Sequence, residues 1–177
     1  MRSRVALFLI VAGACSSAQS GPLRPDPKLT PGVATTITTA ELCSKSFHTR
    51  DERLVTAAMK KQVYESYGVT PGEGICASKP NANTGRPEAC EVDHLISIEL
   101  GGSNDVKNLW PQPYTQHPGA HEKDKLENWL HRQVCAGNMT LAEAQHSIAS
   151  DWFATYQKML AAAPARKRLS RKKVATR

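Results

Sequence analysis

Residues 91–110 constrain the fold of this chain more than any other part of its sequence. An Asp-His pair, Asp93 and His94, lies inside an apolar, β-branched run, a Gly-Gly pair follows at 101–102, and Asn108 comes fourteen residues after the histidine. Glycine pairs favour tight reversals of the chain. The pattern therefore predicts two short strands joined by a turn, with Asn108 brought back near Asp93.

These residue types suit the cleavage of a phosphodiester bond. Such a reaction needs a neutral imidazole that takes a proton from water and a cation that stabilises charge on the phosphate oxygens. Asp93 and His94 are strand neighbours whose side chains point to opposite faces, so only a bulge or a strand end lets both reach one site. Asp and Asn oxygens are hard ligands, so the sequence predicts one divalent ion, Mg²⁺ or Mn²⁺.

The arrangement Asp93-His94-(x)₆-Gly-Gly-(x)₅-Asn108-Leu109 resembles the HNH, or His-Me finger (ββα-metal), endonuclease motif. The resemblance is specific over residues 91–110 and moderate through the following helix to about residue 135. It implies a ββα fold around one divalent metal ion and hydrolysis of DNA or RNA. By this resemblance His94 is the general base, Asp93 is a metal ligand, and Asn108 is the middle Asn that positions the base or joins the metal site.

The resemblance leaves the third metal ligand open. The family usually places a His near the start of the next helix, and our candidate is His121, whose spacing to Lys123 is one residue shorter than the family's His-x-x-Lys. His117 is the second candidate, and Glu127 lies one to two turns further along the same predicted helix. We also expect Arg86 and Lys123 to contact substrate phosphate.

The beginning of the chain is typical of an exported protein. Residues 1–20 combine a basic start, an apolar stretch of roughly ten residues and small residues, as secretory signals do. The apolar stretch is shorter than the about 20 residues that a bilayer requires. The alternative is a lipoprotein box with Cys15 lipidated. No other segment is apolar enough to span a membrane, so we predict a secreted or periplasmic protein without integral membrane contact.

Four cysteines remain after the signal, which is an even number suited to disulfides in an oxidising compartment. Four cysteines allow three pairings, and the sequence does not select one. We favour Cys76 with Cys90, because that bond closes a loop rich in Pro, Asn and Gly, and Cys43 with Cys135. No pair is spaced as Cys-x-x-Cys, which argues against structural zinc.

Hydrophobic periodicity and capping residues predict an α+β fold in which helices flank two strands. The resemblance implies that its centre is a small ββα-metal motif, and we expect disulfides to brace it. The predicted elements are a helix over about 50–67 opening with a capping box at Thr49, a loop over 69–89, a strand over 90–99, a turn over 101–105, a return strand near 108–110 that becomes irregular from Pro111, a helix over about 120–135, and a helix from a capping box at Thr140 to about 162. The predicted organisation is a signal peptide at 1–20, a linker at 21–40, an HNH-type nuclease domain at 41–163 with its ββα core at about 90–135, and a basic tail at 164–177.

The formal net charge of +7 is not evenly distributed. Seven basic residues lie in the tail and two in the signal, so 14 of the 23 remain against 16 acidic residues, a net of −2. We expect the tail to hold any polyanion through salt-sensitive attraction.

The sequence therefore predicts a metal-dependent endonuclease of low sequence specificity that acts on nucleic acid, DNA rather than RNA, with no obligate protein partner evident. The alternative is a non-catalytic, exported polyanion-binding protein with a degenerate HNH fold.

Overall fold

The computed structural model describes residues 24–80, 85 and 87–162. The predicted signal, the lipoprotein cysteine Cys15, the substrate residue Arg86 and the basic tail lie outside the described residues. The described part contains five helices and two separate two-stranded antiparallel sheets: α1 (Thr39–Leu42), α2 (Thr49–Glu52), α3 (Ala57–Ser66), β1 (Lys79–Pro80), β2 (Pro87–Glu88), β3 (Cys90–His94), β4 (Leu109–Pro113), α4 (Ala120–Cys135) and α5 (Leu141–Ala162).

The central hairpin is formed by β3 and β4, in a register that runs from Cys90 opposite Pro113 to His94 opposite Leu109. The prediction of a strand over 90–99 is wrong beyond its first half, because β3 ends at His94 and a 3₁₀ turn occupies Ile98–Leu100. The intervening backbone N–H and C=O groups of residue 96 bond to a side chain rather than to a strand. A strand end of the kind that would let Asp93 and His94 reach one site is thus present at the pair itself.

The return strand is longer than predicted, because β4 continues through Pro111 and Pro113. The N–H of Tyr114 points to the carbonyl of Ala89 on the β3 side, whereas the carbonyl of Leu109 points away, to Thr30. By this alternation the nitrogens of both prolines lie on the side away from β3. No ladder bond is lost, which is the condition under which a strand tolerates proline.

The helix predicted over 50–67 is divided into α2 and α3, with an irregular link over 53–56. The predicted capping box at Thr49 is wrong: α2 is preceded by His48, which makes no side-chain cap bond. The cap that forms belongs to Thr56, whose hydroxyl accepts the N–H of Met59 at 3.2 Å. The loop predicted over 69–89 also contains the short β1–β2 pairing.

The two long helices lie where the sequence predicts them. The capping box at Thr140 is confirmed, since its hydroxyl accepts the N–H of Glu143 at 3.2 Å and the Glu143 carboxylate accepts the N–H of Thr140 at 2.8 Å. One feature of α5 is unpredicted: Asp151 is non-helical, with φ −161° and ψ 93°, and its carboxylate accepts the N–H of Ala154 at 3.0 Å. Asp151 therefore ends one helical segment and caps the next.

The core lies between the hairpin, α4 and α5, and the disulfides join its edges. Cys43 is bonded to Cys135 and Cys76 to Cys90, which confirms the favoured pairing and agrees with an oxidising compartment. Among the described residues, no helix has the length and apolar character to cross a bilayer. The main core cluster consists of Leu42, Leu95, Ile96, Leu100, Trp110, Leu126, Leu130, Val134, Ala144, Ile148, Trp152 and Phe153.

Candidate active site

Asp93 lies on the face of the hairpin that is turned toward α4. Its cross-strand neighbour is the fully buried Trp110, and directly opposed residues of antiparallel strands share a face. The Asp93 carboxylate oxygen Oδ2 accepts a hydrogen bond from the Lys123 ammonium of α4 at 2.6 Å, and the Asp93 side chain is 12% exposed. The strand and the helix thus fix the candidate metal ligand from two sides.

Lys123 is completely buried, so the prediction that it contacts substrate phosphate is wrong. Its Nζ donates to Asp93, to the backbone carbonyl of His94 at 2.6 Å and to the carboxylate of Glu127. An ammonium has three N–H donors, and all three are used. Burial lowers the pKa of Lys123, but Asp93 and Glu127 more than reverse this, and the pKa stays above its ordinary value. Lys123 is an internal cation.

His94 leaves β3 on the opposite face from Asp93 and is 2% exposed. Its Nε2 lies 3.1 Å from the Oδ1 of Asn104. Because an amide oxygen is an acceptor, this contact assigns the proton to Nε2 and leaves the lone pair on Nδ1. Burial lowers the pKa of His94, so the ring is neutral near pH 7. Chemically, such a ring is a proton acceptor at Nδ1.

Asn104 is the functional residue that the sequence reading missed. Besides contacting His94, its Oδ1 accepts the N–H of Leu54 at 3.1 Å, and its Nδ2 donates to the carbonyl of Glu52 at 2.8 Å. Asn104 therefore joins His94 to the link between α2 and α3. The sequence signal was present as the Asn that follows Gly-Gly-Ser, but an Asn in a turn is explained by backbone geometry alone.

Asn108 supports the site from within and is not free to bind a metal ion. The residue is fully buried, and its Oδ1 accepts the backbone N–H groups of Ile96 at 3.0 Å and Val33 at 3.2 Å. Its Nδ2 donates to the carbonyls of Ile96 and Ser103, both at 2.9 Å. All four bonding positions of the amide are used. The prediction of Asn108 as a metal ligand is corrected to a backbone support beside the base.

The three candidates for the remaining metal ligand differ in their surroundings. His121 lies in the first turn of α4 with its ring centroid 5.1 Å from that of Tyr114. His117 is 79% exposed and contacts the Glu122 carboxylate at 3.6 Å. Glu127 is bonded to Lys123. His121, three residues before Asp124 on α4, therefore stays the predicted third ligand.

Carboxylates surround Asp93 and raise one another's pKa values. Burial and Asp93 together raise the pKa of Glu91 to about 7. Burial raises the pKa of Glu127 to about 8 with a further contribution from Asp93, although Lys123 opposes the change. Burial and Asp93 also raise the pKa of Asp124, which His121 opposes. Such a set of oxygen donors with excess negative charge fits a hard divalent cation.

The residue types around Asp93 suit a divalent cation, but the structure does not bring their ligand atoms together into a complete site. Within the described residues, the group of three His, Cys, Asp or Glu whose ligand atoms all lie within 4.8 Å of one another is Cys43, His131 and Cys135. That group does not include Asp93. A metal ion beside Asp93 would therefore be held by one or two protein ligands and by water or phosphate oxygens, as is usual for Mg²⁺.

Comparison with known proteins gave no match: no family model, no curated protein and no solved structure is significantly similar to this chain.

Proposed function

We propose that this protein is a metal-dependent endonuclease that hydrolyses nucleic acid, DNA rather than RNA, with little sequence preference, at an HNH-type ββα-metal site. The observation that carries the proposal is the strand end at residues 93–94. There, a carboxylate fixed by Lys123 and a neutral imidazole fixed by Asn104 are adjacent in the chain. The order β3, β4, α4 supports the same proposal, because the carboxylate lies between the hairpin and the helix that follows it.

In this proposal His94 removes the proton from the attacking water. Its Nδ1 carries the lone pair, because Nε2 is engaged by Asn104. A neutral ring is required for this role, and burial keeps the pKa of His94 below its ordinary value. The hydrogen bond to Asn104 also disperses the positive charge that the ring acquires when it takes the proton. The base and its orienting partner thus form one unit.

Asp93 of β3 and His121 of α4 would hold the metal ion, and Asp124 follows His121 by three residues on α4. Because Lys123 engages Oδ2 of Asp93, the ion would be bound through Oδ1. Mg²⁺ or Mn²⁺ at this position would stabilise negative charge on the phosphate and on the leaving oxygen. Lys123 holds the Asp93 carboxylate in place, and it also binds the carbonyl of His94. The same ammonium therefore fixes both halves of the Asp-His pair.

The test is digestion of supercoiled plasmid and of RNA by the chain without residues 1–20, purified with both disulfides intact. Reactions contain Mg²⁺, Mn²⁺ or EDTA, and wild type is compared with His94→Ala. The matched control is His146→Ala, because His146 is exposed on α5, where its ring lies 3.4 Å from the Ser150 hydroxyl. We expect metal-dependent nicking by wild type and by His146→Ala, and a loss of at least about a hundredfold in His94→Ala.

Either result separates the two candidate functions. Cleavage lost in EDTA and in His94→Ala supports the enzyme and identifies its substrate. Folded, disulfide-intact protein that cleaves neither nucleic acid with any metal contradicts the enzyme and supports the non-catalytic polyanion-binding protein. The second function has one structural observation in its favour, which is that His94 is 2% exposed.

A further inference from the structure

A second cluster of metal-ligating side chains lies where α4 ends. His131 and Cys135 are four residues apart on α4 and therefore on one face. The Nε2 of His131 lies 3.5 Å from the Sγ of Cys135. Cys43, which follows α1, completes the cluster, with all three ligand atoms within 4.8 Å of one another. The fold thus brings Cys43 next to His131 and Cys135, which follow it by 88 or more positions in the sequence.

The cluster adjoins a cavity of about 570 Å³ that is lined by Cys43, Glu99 and His131 among others. Oε2 of Glu99 is buried and has no hydrogen-bond partner among the described residues. The cavity therefore offers access for an ion and water, next to a carboxylate whose bonding is incomplete.

The two disulfides differ in their accessibility. Cys135 is exposed and Cys43 half-buried, whereas in the second disulfide Cys76 is completely buried and Cys90 half-buried. Thiol–disulfide exchange requires that the attacking thiolate reach a sulfur atom. A reductant therefore reaches the Cys43–Cys135 bond first, and the two halves of this cluster can exist as free thiols while the other bond remains.

We propose that Cys43, His131 and Cys135 form a redox-gated zinc site, which is a disulfide when oxidised and binds one Zn²⁺ when reduced. Zn²⁺ prefers thiolate and imidazole ligands in a tetrahedral arrangement. Zinc–ligand bond lengths of about 2.0–2.3 Å place neighbouring ligand atoms about 3.6 Å apart. After reduction, the two sulfur atoms need to move apart only from the length of a disulfide bond to about 3.6 Å. The fourth position is filled by water from the cavity.

The Cys43–Cys135 bond is reduced by thiol–disulfide exchange. A dithiol reductant attacks Sγ of Cys135 as a thiolate, and Cys43 leaves as a thiolate. The second thiol of the reductant then displaces Cys135, so that the reductant becomes a disulfide and the protein gains two electrons and two protons. Zn²⁺ then displaces the two thiol protons and binds both sulfurs and the neutral imidazole of His131. The link between α1 and α4 thus persists in a reducing compartment.

The experiment measures Zn²⁺ binding by the full protein before and after anaerobic treatment with dithiothreitol and removal of the reductant. Zn²⁺ affinity is measured by competition with a chromophoric chelator, and Co²⁺ is used as a spectroscopic probe of thiolate ligation. Three proteins are compared: wild type, His131→Ala, and the control His146→Ala. Thiols left unprotected by Zn²⁺ are then alkylated and located by mass spectrometry.

We expect reduced wild type and His146→Ala to bind one Zn²⁺, with thiolate-to-Co²⁺ charge-transfer absorption, and the oxidised protein to bind none. Loss of an outer-shell partner alone weakens metal binding about 10–100-fold, so loss of His131 should weaken it by at least about a hundredfold. Zn²⁺ should protect Cys43 and Cys135 from alkylation. The proposal is overturned if reduced wild type binds no Zn²⁺, if His131→Ala binds as tightly as wild type, or if the protected thiols are Cys76 and Cys90. These readouts do not depend on nuclease activity.

Discussion

Lys123 and Asn104 determine the geometry around the Asp-His pair. Side chains of these two types usually face solvent, whereas here both bond to other groups of the protein. Lysine side chains are almost never fully buried unless they are paired, yet the Lys123 ammonium satisfies three oxygens between β3 and α4. The sequence analysis assigned Lys123 to a contact with substrate phosphate, which requires an accessible ammonium. Only the tertiary contact with Asp93 reveals its role.

Replacing Lys123 with methionine should destabilise the protein strongly. The substitution keeps the volume but leaves the carboxylates of Asp93 and Glu127 buried without a cation. Breaking a buried ion pair in this way costs about 3–5 kcal/mol. Urea denaturation of Lys123→Met measures the loss. Lys125→Met on the exposed side of the same helix should change stability by no more than about 0.5 kcal/mol, and equal effects in the two variants would contradict the assigned role.

Replacing Asn104 with alanine should reduce turnover more than substrate binding. The variant loses the acceptor on His94 Nε2, so the ring is no longer held in one tautomer. A hydrogen bond of about 1.4 kcal/mol corresponds to about a tenfold effect on the rate constant. Steady-state kinetics separate kcat from KM. Asn138→Ala, an exposed change after α4, is the control, and an unchanged kcat in Asn104→Ala would refute the positioning role.

Activity should be lost on the acid side of pH 6.5. The pKa of His94 is lowered from its ordinary value of 6.5, mainly by burial, with Arg53 and Lys123 in the same direction and Asn104 and Asp93 opposing. The base is therefore neutral above pH 6.5 and becomes protonated only as the pH falls further. Since the folded state holds this proton less tightly than the unfolded state, the stability that His94 contributes is also complete above pH 6.5 and is lost as pH falls through the folded pKa.

The measurement is a pH–rate profile of kcat/KM, with imidazole signals followed by NMR in wild type and His94→Ala. An acid limb with its midpoint above pH 6.5 would show that another group limits the rate.

At the scale of elements, the turn between β3 and β4 depends on the absence of a side chain at Gly102. A Cβ built on this residue would lie 1.7 Å from the carbonyl oxygen of Ile96 and 2.9 Å from Nδ2 of Asn108. Both are groups of the network that ends β3. The Gly-Gly pair therefore does more than reverse the chain, because it admits the Asn108 amide to the backbone.

Gly102→Ala should be more destabilising than Gly137→Ala. At Gly137 an added Cβ meets nothing within 4 Å, so the cost there comes only from the positive φ of 72°, about 1–2 kcal/mol. Gly102 carries no such cost from φ, and its cost comes instead from the backbone movement that the 1.7 Å approach to the Ile96 carbonyl forces, which lies at or above the upper end of about 1–3 kcal/mol. Thermal or urea unfolding of both variants makes the comparison, and a smaller loss for Gly102→Ala would argue against this network.

The sequence predicted the elements whose signals are local. The helix over 120–135 and the capping box at Thr140 agree with the structure. The favoured disulfide pairing is also confirmed, although the sequence did not select it. The boundaries that failed depend on distant contacts. The end of β3 is set by Asn108, and the predicted first helix is interrupted over 53–56, where Leu54 is 68% exposed. For the same reason Asn104 was missed, and Lys123 was given a role in binding substrate that its burial does not allow.

At the scale of the whole molecule, the two disulfides should contribute unequally to stability. Cys43 and Cys135 are 92 residues apart in the sequence, and Cys76 and Cys90 are 14 apart. In the chain-entropy estimate, closing loops of these lengths stabilises the fold by about 4.7 and about 3 kcal/mol. Urea denaturation of the Cys43→Ala/Cys135→Ala and Cys76→Ala/Cys90→Ala proteins tests this. A larger loss in the second protein would show that the local loop matters more than chain entropy.

The prolines of β4 have a consequence for how the molecule behaves at high concentration. The edge of β4 that faces away from β3 lacks an N–H at both Pro111 and Pro113. A strand from a second copy would find no donors at two of its pairing positions, and an unprotected sheet edge is where unwanted self-association begins. A strand added along that edge would therefore lack two hydrogen-bond donors, and the prolines oppose extension of the hairpin that carries the Asp-His pair.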